Sequence, residues 1–170
     1  MFHELLIKKN ELIVAGACSF FMTKLGITQE ERKIITLEEV KNMEPGTGGT
    51  CGAVYDPKFN LIRINIKVRT YASVLGMLDV IAHELVHARQ HLRGEFYFKY
   101  VSTPIFWGLF NIKVLHKFHH SQDLNIVPYY ERICEMEAHN LAHEMITEYF
   151  FLLKEATDPK QSVEPIVCHI

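Results

Sequence analysis

Apolar and polar positions change their period several times along the chain, and those changes mark out the elements. Residues 3–25 carry a mainly helical spacing that Gly26 stops, and Thr28-Gln29-Glu30-Glu31 follows as a turn or short helix. Lys33–Val40 holds a short strand signal in Ile34-Ile35-Thr36-Leu37. Pro45-Gly46-Thr47-Gly48-Gly49-Thr50 is too rich in glycine for regular structure and reads as a loop. Cys51–Tyr55 and Leu61–Val68 then flank the turn-rich Asp56-Pro57-Lys58-Phe59-Asn60. From Ile62 onward apolar and polar residues alternate, as a strand with one buried and one wet face requires. The period turns helical from Tyr71 to about Leu92, with Arg93-Gly94 as its stop. Residues 95–128 give no clear period. After Pro128 a helix runs from about Tyr130 to Lys154, with Ala138, Leu141, Ala142, Met145 and Tyr149 on one face. Helix, small sheet, helix, connector, helix is the order of one α+β domain filling residues 1–170.

Two apolar runs, Leu12–Phe21 and Val101–Leu115, fall short of the roughly 20 apolar residues of a spanning helix and read as core helices. An interfacial role for Phe106-Trp107-Gly108-Leu109-Phe110 stays open. With 48% hydrophobic and 22% charged residues in 170, the composition is that of an ordinary soluble domain with one core. Eighteen basic against 20 acidic side chains leave a formal charge of −2, which gives no reason to expect nucleic acid or an anionic membrane as partner. The four cysteines, Cys18, Cys51, Cys134 and Cys168, form no CxxC pair, and Met1-Phe2-His3-Glu4 is not the basic start of a signal peptide. The reading is a cytoplasmic protein with reduced, mostly buried cysteines. Cys51 alone is kept in view as a metal ligand.

The chemistry concentrates in His83-Glu84-Leu85-Val86-His87. Two histidines four apart share a helix face about 6 Å apart along the axis, so their imidazoles can converge on one zinc ion. Glu84 projects at the edge of that face, where it can take a proton from a water as general base. Zinc then needs a third protein ligand. His91 lies about 12 Å from His83 along the same helix and suits the rim or a supporting role. His116, His119 and His120 cluster in the connector and read as a solvated face. Glu135 is the best placed, on the next clear helix, and gives the His₂Glu set that leaves one position open. His139 shares its face and can orient a ligand by hydrogen bonding, while Glu137 reads as surface. For a second electrophile beside the metal, Tyr129, Tyr130, His119 and His120 are of the right type.

His83-Glu84-x-x-His87 followed by Glu135-x-x-Ala138-His139 resembles the gluzincin pattern HExxH…ExxA[D/N], in its compact bacterial and phage form, the ImmA/IrrE-type zincins. The likeness spans about residues 50–150. It implies a zincin-like α+β fold, with a small mixed or antiparallel sheet, an active-site helix and a second metal-ligand helix. It also implies one zinc ion on His83, His87 and Glu135, and a peptide or protein substrate. In such proteins an edge strand pairs with the substrate, which Gly48-Gly49-Thr50-Cys51-Gly52-Ala53 or Leu61–Val68 would supply. Here His139 stands where Asp or Asn is usual, and the link between the motifs is long and aromatic. Two other readings stay open. One is a non-catalytic zinc-binding interaction module, its metal closed by Cys51, Cys134 or His91. The other is a SprT-type DNA-associated protease with His116 or a neighbour as third ligand.

Overall fold

The structure is a computed structural model that describes residues 2–56, 61–71, 73–105, 110–120 and 122–157. The turn expected at 57–60, most of the Phe106–Phe110 segment and Cys168 lie outside the described residues. Three strands, β1 (Ile35–Val40), β2 (Gly49–Asp56) and β3 (Leu61–Arg69), make a mixed sheet in the order β1-β3-β2. β1 runs parallel to β3, and β2 antiparallel to it. The alternation read in β3 is what suits it to the centre: Ile64, Ile66 and Val68 are fully buried beneath the helices. Ile62 shares their face but stands at the start of the strand and is exposed.

Helix α1 (Phe2–Lys24), the single-turn α2 (Gln29–Arg32) and helix α3 (Val74–Leu92) follow the expected order around this sheet. Helices α1 and α3 end in the same device. Gly26 and Gly94 adopt left-handed φ of 66° and 67°, and the residue after each donates its N–H five residues back, Ile27 to Met22 and Glu95 to Gln90. This closes the last carbonyls, and glycine takes that conformation without a steric penalty. Helix α3 begins three residues later than the pattern suggested, because the Ser73 hydroxyl accepts the Gly76 N–H and fixes the start there. The core joins α1 (Ala17, Phe21), β3, α3 (Leu78, Ile81, Leu85, Val86) and a last helix, α4 (Ile133–Thr157), through Ala138, Ala142, Met145 and Tyr149. Leu12–Phe21 is helical, as expected.

The described parts of Val101–Leu115, residues 101–105 and 110–115, are not helical. Strands β4 (Phe96–Ile105) and β5 (Phe110–His119) pair antiparallel, and a short β6 (Gln122–Asp123) returns beside β5 as a second sheet. Aromatic and β-branched residues with interspersed lysines favour a two-sided ribbon over a helix buried all round. Tyr97 and Phe118, paired across the ribbon, stack at 5.2 Å. The expected single helix from Tyr130 also divides. One 3-10 turn (Tyr129–Glu131) precedes α4, and Arg132, in extended conformation, separates them. Among the described residues no helix is long and apolar enough to cross a membrane. Cys18, Cys51 and Cys134 are free thiols, Cys134 buried and the other two half-buried.

Candidate metal centre

Apolar residues on one side of α3 fix its rotation, so that His83, Glu84 and His87 emerge toward α4 and the start of β2. Ala138 and Ala142 let α4 lie close to α3, and Glu135 sits in the first turn of α4, where the helix dipole favours a carboxylate. The result is a tight triangle. Glu135 Oε2 lies 3.2 Å from His83 Nε2 and 3.1 Å from His87 Nε2, and the two nitrogens are 3.1 Å apart. The side chains keep only 10–12% of their surface exposed. One metal ion held tetrahedrally with bonds of about 2.0–2.1 Å would space such donors about 3.4 Å apart. His83, His87 and Glu135 therefore form a group able to hold a single metal ion.

The hydrogen bonding behind the triangle says which atoms face it. Gln90 Nε2 donates to Glu137 Oε2 at 2.8 Å and to the Cys134 carbonyl at 3.3 Å. Its oxygen is thereby turned to His87 Nδ1, 2.7 Å away, so that nitrogen carries the proton. His87 Nε2 is left with a lone pair aimed at a carboxylate oxygen. Two acceptors at 3.1 Å need a positive species between them, a proton or a metal ion. The pKa values reflect that competition. Burial disfavours charge on His87, yet Glu135 outweighs it and raises the imidazole above its ordinary value. Burial likewise works against the Glu135 carboxylate, but hydrogen bonds from His83 and His87 hold it well below the usual range. Glu84 is raised, by burial first, against the pull of both histidines.

A cleft runs past this group in two lobes, of about 590 Å³ and 450 Å³, that share Gly49, Thr50, Glu84 and Tyr129. Gly49 is where β2 meets α3. A Cβ there would lie 2.5 Å from Val80 Cγ1 and 2.8 Å from Glu84 Oε1. Of the two strands named as edge candidates, β2 is the edge and Leu61–Val68 is the centre of the sheet. The chain matches no family model, no curated protein and no solved structure.

The remaining candidates divide by position. Tyr129 lines both lobes, and burial and the nearby Glu135 carboxylate raise the pKa of its hydroxyl, while Tyr130 is 76% exposed and lines neither. His139 lies ring to ring with His83 at 4.5 Å; His83 Nδ1 has no hydrogen-bond partner among the described residues, so that contact is packing. His91 lines the smaller lobe against Phe96, and burial, Lys117 and His87 together lower its pKa to about 4. His119 and His120 are not brought to the triangle. They gather with Glu95 beyond Phe96, as a second group of possible ligands. His116 pairs with Asp123 at 2.6 Å, so the third-histidine arrangement is not formed. Cys51 lines the smaller lobe outside the triangle, with a thiol that burial and Glu84 push up to about 12. Gln90, Phe96 and Lys117 were not foreseen. Gln90 carries one signal, an amide three residues after His87 on a face that is otherwise apolar.

Proposed function

We propose that this chain is a zinc-dependent peptidase of zincin type, acting in the cytoplasm, with His83, His87 and Glu135 as ligands and Glu84 as general base. The observation that carries the reading is the triangle of donors 3.1–3.2 Å apart with a buried glutamate beside it in an open cleft. Among the described residues three protein donors, not four, come together, and neither Cys51, Cys134 nor His91 joins them, which suits a catalytic rather than a closed structural site. A zinc ion bound there supplies a Lewis acid that makes water acidic near neutral pH. Glu84 takes the proton of the attacking water and returns it to the leaving amine. Tyr129, which lines both lobes of the cleft beside the triangle, is the residue best placed to steady charge on the carbonyl oxygen. The outer edge of β2, which pairs with no strand among the described residues, would offer main-chain hydrogen bonds to an extended substrate, which asks little of its side chains.

The test is Glu84→Gln. The variant is expected to hold one zinc per chain, by elemental analysis, while cleavage of a fluorescent unfolded protein falls by about 10²–10⁴-fold. A purified chain without metal, or cleavage equal to wild type, would overturn the assignment.

A further inference from the structure

The two lobes of the cleft differ in charge. The larger is lined by the glycine-rich Pro45–Gly49 and by Asp79, and holds no lysine or arginine. The smaller holds Lys117 and Arg132 across from the triangle, with Asn125, Cys51 and Cys134. Neither cation has a carboxylate partner among the described residues. Lys117 Nζ stands 4.1 Å over the Phe96 ring, and Arg132 donates from Nε to the Val127 carbonyl at 3.2 Å, its guanidinium 5.6 Å from the Tyr129 ring. By contrast Lys24, Lys33, Arg89 and Arg93 each hold a glutamate, while Arg32 and Arg69 hold carbonyl or hydroxyl oxygens away from the cleft. Lys117 is also fixed in place. Its N–H donates to Asn125 Oδ1 at 2.9 Å, and its carbonyl accepts from Leu124 at 2.9 Å.

A half-buried ammonium without a counter-charge is costly, and burial lowers the Lys117 pKa. Among the described residues the longer-range pull of Glu135 acts for its charge and repulsion from Arg132 against it. A divalent ion on the triangle cancels the charges of Glu84 and Glu135, and both cations then face the lobe uncompensated.

We propose that the smaller lobe is a carboxylate subsite, in which Lys117 and Arg132 receive either an Asp or Glu side chain or the free C-terminus of the substrate. This rests on the peptidase reading and adds its substrate class: peptides carrying a negative charge on one side of the cleaved bond. The other lobe, with Asp79 at its rim, fixes the direction in which such a peptide lies.

Binding measures this without turnover. Zinc-loaded Glu84→Gln protein is titrated by fluorescence anisotropy with labelled, end-blocked peptides that differ only in Glu or Gln at one position. A second, neutral pair differs only in a free or amidated C-terminus. One charged member is expected to bind about tenfold tighter than its neutral twin, the gain of a charge-assisted hydrogen bond. Which pair shows the gain tells side chain from terminus. The gain should disappear in Lys117→Gln/Arg132→Gln, checked for fold by circular dichroism and for zinc content, and persist in Lys117→Arg. Equal affinities in both pairs, no binding of any peptide, or a gain that survives the double substitution would overturn the subsite. Cleavage of the neutral peptides by wild type with no preference sinks the subsite alone. A measured carboxylate gain with no cleavage by wild type sinks the peptidase reading alone.

Discussion

Gln90 settles a choice that the HExxH pattern leaves open, namely which nitrogen of His87 faces Glu135. Its amide is held between Glu137 and the Cys134 carbonyl, so only its oxygen can meet His87 Nδ1. Gln90→Ala should therefore keep the fold but free the imidazole, and metal affinity should fall about 10–100-fold in competition with a chromophoric chelator. Unchanged affinity would make Gln90 a mere packing residue. The candidate ligand group was legible in the sequence because histidines one turn apart and a carboxylate at the start of the next helix have few other reasons to coincide. Gln90 was not, since glutamine carries no ligand signature and its role exists only once α4 is packed against α3. The pair of Glu31 and Arg93 makes a second point at this scale. The Arg93 guanidinium first, and the Thr28 backbone and hydroxyl after it, lower the Glu31 carboxyl from 4.5 to about 2. A pKa depressed by folding stabilises above the unfolded value and is lost as pH falls through the folded one. The melting-temperature gap between wild type and Glu31→Gln should thus hold from pH 7 to about 5 and close near pH 2.

At the scale of elements, the first sheet and the long helices α1, α3 and α4 could be read from period because each has one face against the core. The β4–β5 ribbon could not, for aromatic residues stand on both of its faces. Tyr97 and Tyr100 are exposed on one strand, and Phe96 packs against His87 and His91. Without a single wet face there is no alternation to detect, and an apolar run of uncertain period passes for a helix. The ribbon nevertheless brings Phe96 and Lys117 into the smaller lobe. The contact between β2 and α3 is the most exacting in the site. Gly49→Ala would place a methyl group against Val80 and Glu84, and should cost roughly 1–3 kcal/mol in chemical denaturation as strand and helix move apart. Gly52→Ala, three residues along the same strand with nothing within 4 Å, should cost far less. Equal losses would mean that the close approach carries no weight.

For the whole molecule, the metal group ties the two helices that close the core, α3 and α4, at the point where the cleft opens. On the zinc reading, the ion at about 100 times its Kd would stabilise the folded state by about 2.7 kcal/mol. Stripping it with a chelator should then lower the melting temperature by roughly 5–10 °C, with no such shift in His83→Ala. An equal shift in that variant would point to a metal bound elsewhere, the Glu95, His119 and His120 group being the first place to look. The outer side of β2, unpaired among the described residues, has a consequence of its own. Its backbone donors and acceptors can be matched only by a partner whose own are free, and folded domains use theirs internally. On the peptidase reading, what comes within reach is a tail, a linker, or a polypeptide caught before or after folding, so this protein sorts its targets by conformational state before any residue in them is inspected.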